Sequence, residues 1–258
     1  MSITAYTDTS NALRPLAVTL SALGPLQGLA DPLVVVNHSG WIPANDLLYG
    51  GRLPDLLGVA RRRWDAPPHA AATLAWKSYS YWLAMPAVLS WAIARRVPHI
   101  EADNVLVRFG AKSPLLEVGL ASSSVVVLPD DPLAQSGLPG ISVAADEEIL
   151  LKTLRVSLLD KHLEPLSERI RDEVKVGRRT LLGSVASGIA YAVVRARGLL
   201  PEPAGETAMT LLKALDLDDL VELTPGAGNE PAVQRKTCCL AFTLPQPKIC
   251  SGCCLRSV

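Results

Sequence analysis

All five cysteines of this chain lie in its last 21 residues, at Cys238, Cys239, Cys250, Cys253 and Cys254, and the 237 residues before them hold none. Thiols gathered this tightly pin one short segment to one point, through a metal or through disulfides. Everything upstream must fold by packing alone. At 258 residues the chain is long enough for that, since a domain of this size buries a substantial core without covalent help. With only two Phe and five Trp, that core is built from Leu, Val and Ala around a few Trp anchors.

The formal net charge is zero, which argues against a general nucleic-acid binder, whose domains carry a basic excess. Residues 1–30 lack the basic start and compact apolar run of a secretory signal, and Asp8 and Arg14 interrupt them. A reducing, cytoplasmic setting is therefore expected, where clustered thiols serve as ligands more often than as disulfides. The apolar stretches Trp82 to Ala94 and Leu181 to Val194 fall short of the roughly 20 residues a membrane span needs. Both read as buried helices.

The expected fold class is α+β. It comprises a helix-rich body with a small antiparallel sheet (residues 1–228) and a short C-terminal cluster-binding segment (229–258). Ala70 to Arg96 reads as one long helix, bent or broken near Pro86 and stopped by Pro98. Asn104 to Gly110, Leu115 to Leu120 and Ser124 to Leu128 are short Val- and Leu-rich runs separated by turn residues, the pattern of a three-stranded meander. Asp146 opens an amphipathic helical run reaching Lys161. Helices follow over Arg179 to Arg197 and Glu206 to Leu215, and Thr224 to Pro231, with two Gly and two Pro, reads as a linker.

The cysteine spacing is two adjacent thiols, ten residues, a third, two residues, and a fourth. Cys250-Ser251-Gly252-Cys253 is a chelating loop for either iron–sulfur or zinc. The adjacent pair is unusual for structural zinc, which takes two spaced pairs. Neighbouring residues on an extended chain point different ways, which suits two metal centres better than one. Cys254 offers the second loop an alternative closure, and we assign Cys253 as the ligand. On spacing alone, iron–sulfur, zinc and free redox thiols all stay open.

The run Arg235-Lys236-Thr237-Cys238-Cys239-Leu240, followed by Ile249-Cys250-Ser251-Gly252-Cys253, resembles the C-terminal signature of the FhuF-type ferric-siderophore reductases. Weaker similarity runs through Tyr81 to Ile93, His162 to Leu166 and Leu182 to Ser187. Ser184 and Cys254 depart from the pattern. The resemblance implies a [2Fe-2S] cluster on Cys238, Cys239, Cys250 and Cys253. It also implies one-electron reduction of a ferric siderophore, most naturally of the hydroxamate type, in the cytoplasm. No Gly-x-Gly-x-x-Gly fingerprint follows a strand, so a separate donor such as a ferredoxin or flavin reductase is expected. Peripheral association with a membrane uptake permease stays open.

Other residues have plainer readings. His38, His69 and His99 fit turns or the surface, and His162 fits a hydrogen bond that orients its helix. Arg61-Arg62-Arg63 fits a solvated face. Trp82 and Trp91 fit the core, while Trp41 fits either the core or a cover over an apolar ligand. Arg235, Lys236 and Arg256 flank the thiols and would offset thiolate charge or meet an anionic partner.

Overall fold

A computed structural model describes residues 10–110, 114–226 and 231–256. The fold is α+β and helix-rich. Its axis is α4 (Pro68–Ala94), which runs through Pro86 without a break. Trp76, Tyr79, Leu83, Met85, Leu89 and Trp91 on this helix are all fully buried. A helix apolar on every side has to be wrapped by its neighbours. These are α1 (Arg14–Ala22), α3 (Leu53–Trp64) and α7 (Arg178–Arg195), all packed against α4. The short α2 (Ala44–Leu48) precedes α3, with Gly50 and Gly51 between them. Small residues on α7 let the two long helices approach closely. A Cβ at Gly188 would sit 3.4 Å from the Tyr81 Cα. The Trp76 indole N–H donates to the Leu181 carbonyl across the contact at 2.8 Å. Among the described residues, no helix is long and apolar enough to cross a membrane.

The expected meander does not form. Strands β4 (Val105–Phe109) and β5 (Leu116–Leu120) pair antiparallel, but the other edge of β5 is taken by β1 (Leu29–Val34) in parallel. Strand β2 (Ile42–Pro43) completes this mixed sheet on the β4 side. The third expected strand, β6 (Val125–Val127), lies in a second sheet between β3 (Val97–Pro98) and β7 (Ile141–Val143). Asn104 shows why the chain leaves. Its carbonyl receives the Ala121 N–H, and its side-chain amide donates to the Ser122 and His99 carbonyls. The chain is thereby turned away before it can pair again.

Asp146 caps α5 (Glu147–Arg155) as expected, accepting the Ile149 N–H at 2.8 Å. The continuation is not α-helical. Val156–Leu163 is a π-helical segment, followed by α6 (Glu164–Glu173) with Pro165 in its first turn. Residues five apart point about 140° away from each other on an α-helix, whereas i→i+5 bonding brings them to one side. Ser157 and His162 are such a pair, and both reach Ile100. The Ser157 Oγ accepts the Ile100 N–H at 3.0 Å, and His162 Nδ1 donates to its carbonyl at 2.6 Å.

Helix α8 (Ala204–Ala214) packs on α7. The hairpin of β8 (Val221–Pro225) and β9 (Pro231–Arg235) then carries the chain back across α7. The ends of the expected linker are thus strand, and its middle, with the expected boundary between 228 and 229, lies outside the described residues.

Candidate metal centre

Strand β9 organises the thiol segment. Its outer edge holds the second cysteine loop. The Arg235 N–H donates to the Gly252 carbonyl at 2.9 Å, and the Gln234 amide to the Cys253 carbonyl at 3.0 Å. Gly252 is required there, because a Cβ would come within 2.0 Å of the Val233 carbonyl oxygen and 2.5 Å of the Tyr191 hydroxyl. Tyr191, on α7, donates to that same Val233 carbonyl at 3.2 Å.

The first pair is held from beneath by α4. The Thr73 hydroxyl donates to the Cys239 carbonyl at 2.8 Å, and Thr237 packs its side chain onto Gly183 of α7. Leu240 then takes a left-handed conformation with φ 59°. A branched side chain adopts that conformation at a cost on the order of 1 kcal/mol. The turn it makes aims its N–H at the Cys238 Sγ, 3.3 Å away. Beyond it the chain closes on itself, Lys248 N–H to Ala241 carbonyl at 3.0 Å, and His69 meets the Thr243 hydroxyl at 3.2 Å.

Of the four expected ligands, Cys239 and Cys250 pair with each other, whereas Cys238 pairs with the fifth thiol, Cys254, and not with Cys253. Cys239 and Cys250 have their sulfurs 3.4 Å apart. Cys238 lies beside Cys254, which also neighbours Cys253. The Leu255 N–H points at the Cys253 Sγ from 3.5 Å. Four thiolates on one tetrahedral zinc would all lie about 3.8 Å from one another, given the Zn–S bond length. Among the described residues no three cysteine sulfurs fall mutually within 4.8 Å. The sulfurs are thus arranged as the pairs Cys239–Cys250 and Cys238–Cys254, not as one tetrahedral set. None of the five cysteines is in a disulfide.

The electrostatics favour anions. Residues 231–258 contain Arg235, Lys236, Lys248 and Arg256 and no acidic residue. Lys77 on α4 places its Nζ 3.4 Å from the Cys250 Sγ. Arg235 is the more telling group. It is 2% exposed, and its one side-chain bond is to the Ser184 hydroxyl at 3.0 Å. Its Nε and Nη1, and the neighbouring Thr237 Oγ1, are buried without a partner among the described residues. No carboxylate pairs with Arg235 among the described residues, a costly state for a buried cation, and buried donors are normally satisfied. An iron–sulfur core with four thiolates carries net negative charge and several acceptor sulfurs. The residues therefore fit such a group.

These charges act on the thiols themselves. The Cys250 thiol is pulled down to about 5 by the hydrogen bond from Cys239, with Lys77 and Arg235 adding to it against the effect of burial. Cys239 moves up for the reciprocal reason, together with its burial. Cys254 is raised by burial and by Cys238 and Cys253.

The remaining candidates fall away from this centre. His162 is buried, with Nδ1 on Ile100 and Nε2 accepting the Tyr79 hydroxyl at 2.5 Å. Both ring nitrogens are occupied, so its role is to fasten the π segment. His38 bonds the Val35 carbonyl in a turn. Trp91 is core, Trp82 packs on Gly28, and Trp41 lies under the Arg108 guanidinium. Arg61, Arg62 and Arg63 are exposed in the last turn of α3.

His99, with Glu101 and Asp103, forms the one group of three metal-type ligands that lie mutually close among the described residues. Lys161 already pairs with Glu101 at 3.1 Å. This group borders a cavity of about 420 Å³ past the far end of α4, some 25 Å along the helix from Lys77 by its rise per residue.

Sequence reasoning missed Lys77 and Thr73. Lys77 had a signal, being the one charged residue between Ala70 and Ala94. A lone charge on an otherwise apolar helix needs a partner, and here the partner is sulfur. No protein-family model and no curated protein sequence matches the chain.

Proposed function

We propose that this protein is a ferric-siderophore reductase whose C-terminal segment holds a [2Fe-2S] cluster on Cys238, Cys239, Cys250 and Cys253. The observation that carries the reading is the buried Arg235 guanidinium, whose Nε and Nη1 have no partner among the described residues, acting on the Cys239–Cys250 and Cys238–Cys254 thiols. Unsatisfied buried donors beside clustered thiols suit an anionic thiolate-held group. The spacing of the thiols and its resemblance to the FhuF-type signature supply the chemistry.

When bound, such a cluster passes one electron at a time. One electron is enough, because oxygen donors that grip Fe(III) hold the softer, less charged Fe(II) far less tightly. The organic chelator is left intact, and iron leaves as Fe(II). The chain's own residues hold and shield the centre. Thr73 and Tyr191 tie the two cysteine loops to α4 and α7. Arg235 and Lys77 offset thiolate charge, and the Leu240 and Leu255 amides point at sulfur. Backbone amides on sulfur tune a potential. The electron comes from a separate reduced protein in the cytoplasm.

A zinc staple would draw four sulfurs into one tetrahedron, whereas no three cysteine sulfurs lie mutually within 4.8 Å among the described residues. The deciding experiment is anaerobic purification, a visible spectrum, electron paramagnetic resonance after dithionite, and turnover with a ferric hydroxamate in the presence of a ferrous-specific chelator. A red-brown protein with a reduced S = 1/2 signal and ferrous product is expected. Alanine at any of the four cysteines removes the colour. A colourless protein with stoichiometric zinc after reconstitution would sink the reading. A coloured protein without turnover would leave an iron–sulfur sensor.

A further inference from the structure

The inner side of the thiol segment is packed against α4 and α7, as Thr73, Gly183 and Tyr191 show. Its outer side is free and has an unusual make-up. Phe242, Ile249 and Leu255 are 43%, 54% and 53% exposed. Each lies within three residues of a cysteine along the chain. The basic residues Lys236, Lys248 and Arg256 of the same segment are exposed as well, Lys248 and Arg256 next to Ile249 and Leu255 in the chain. The chain as a whole is neutral, yet residues 231–258 carry four basic residues and no acidic one. The rest of the chain is therefore net acidic by the same amount, which sets this segment apart in charge. Cys238, Cys250 and Cys254 in this segment are only half-buried.

Large apolar side chains in water are retained where a partner covers them, and interface centres are apolar with a polar rim. Separated charge steers an oppositely charged partner into one orientation.

We infer that this outer face, Phe242, Ile249 and Leu255 with the cations Lys236, Lys248 and Arg256, is the docking surface for an acidic redox protein that donates the electron. The inference rests on the cluster reading above and adds the partner's charge and landing site. The half-exposed cysteines of this segment favour a redox partner over a lipid surface, which would cover them to no purpose. In the step itself one electron leaves the donor's reduced cofactor and enters the cluster. No bond is made or broken, and no proton is transferred.

The test is calorimetric binding of the intact, cluster-loaded protein to an oxidised acidic plant-type ferredoxin, followed by the rate of cluster reduction by the reduced form. Kd is expected to weaken steeply between about 0.01 and 0.5 M ionic strength, as screening demands. Lys248→Glu and Arg256→Glu should each weaken it about tenfold, as for rim charges in steered complexes. Ile249→Ser should weaken it with the salt dependence unchanged. Lys152→Glu, the same change of charge on exposed α5, should leave it unaltered. Reduction by methyl viologen radical, a small cation, should not slow in the glutamate variants, which shows that their clusters are intact. Four results would overturn the inference. These are equal weakening by Lys152→Glu, equal binding of basic cytochrome c, tight binding to phosphatidylserine vesicles that the same variants abolish, and no ferredoxin binding at low salt. If those variants instead weaken a ferric catecholate, the charges serve the substrate and the inference also falls. A colourless protein would refute the cluster reading itself, a separate failure visible before any partner is added.

Discussion

Arg235 is the residue on which most of this molecule's chemistry turns. Buried without a carboxylate, it is a liability to the metal-free fold and an asset to the loaded one. Arg235→Met should therefore separate the two states. Removing an uncompensated buried charge is expected to raise metal-free stability by about 1–3 kcal/mol, read as a higher melting temperature. The same change should lower iron content per protein after reconstitution. A variant that melts lower and keeps its full iron would make Arg235 a packing residue only. The sequence made Arg235 legible as a flanking cation. Its burial was not legible, because nothing in a list of residues places the last residue of β9 against Ser184 of α7.

Helix α7 and the chain just past strand β9 meet through Gly183 and Thr237, and the contact leaves no room. A Cβ at Gly183 would sit 1.9 Å from the Thr237 Oγ1. Helix propensity alone favours Gly183→Ala by about 0.8–1 kcal/mol. Overpacking here opposes it by about 1–3 kcal/mol. The expected outcome is a net loss of stability and of cluster occupancy, partly recovered by adding Thr237→Ala. A more stable Gly183→Ala protein would show that the segment is loosely docked. At this scale the sequence was a fair guide to helices and a poor one to sheet partners. The Asp146 cap and the long apolar run of α4 are local facts, readable from residues a few places apart. The parallel pairing of β1 with β5 joins residues nearly ninety apart in the chain, Leu29 to Val118. No local pattern announces that β5's free edge is already taken, so β6 was wrongly expected there.

Across the whole molecule the main hydrophobic core runs from α1 to the thiol segment and includes Cys239, Ala241 and Leu244, with two small clusters beside it around Val127 and Leu106. At its centre His162 joins the π segment, the Ile100 loop and Tyr79 of α4. Burial pulls this imidazole from 6.5 down to about 4. The unfolded chain takes up the proton first as pH falls. The stability held by neutral His162 is thus whole above about pH 6.5, declines below it and is lost by about pH 4. For this shift the loss is on the order of 3 kcal/mol. Denaturant midpoints followed by tryptophan fluorescence from pH 7 to 4 should fall accordingly. His162→Gln, less stable at pH 7, should show a flatter profile. An unchanged slope in that variant would move the acid sensitivity elsewhere.

The π segment holds one residue more than an α-helix of the same reach. Ser157 and His162 satisfy both main-chain groups of Ile100 because the widened turn brings positions five apart to one side. Ordinary winding over the same residues would turn them about 140° apart and release Ile100 at both ends. Taking out a single residue between them would instead leave them four apart, and ordinary winding places such residues on one face. Of the residues between them only Asp160 and Lys161 are exposed, so the spare residue is one of these two. Here the chain can lose a residue as long as it loses the widened turn with it.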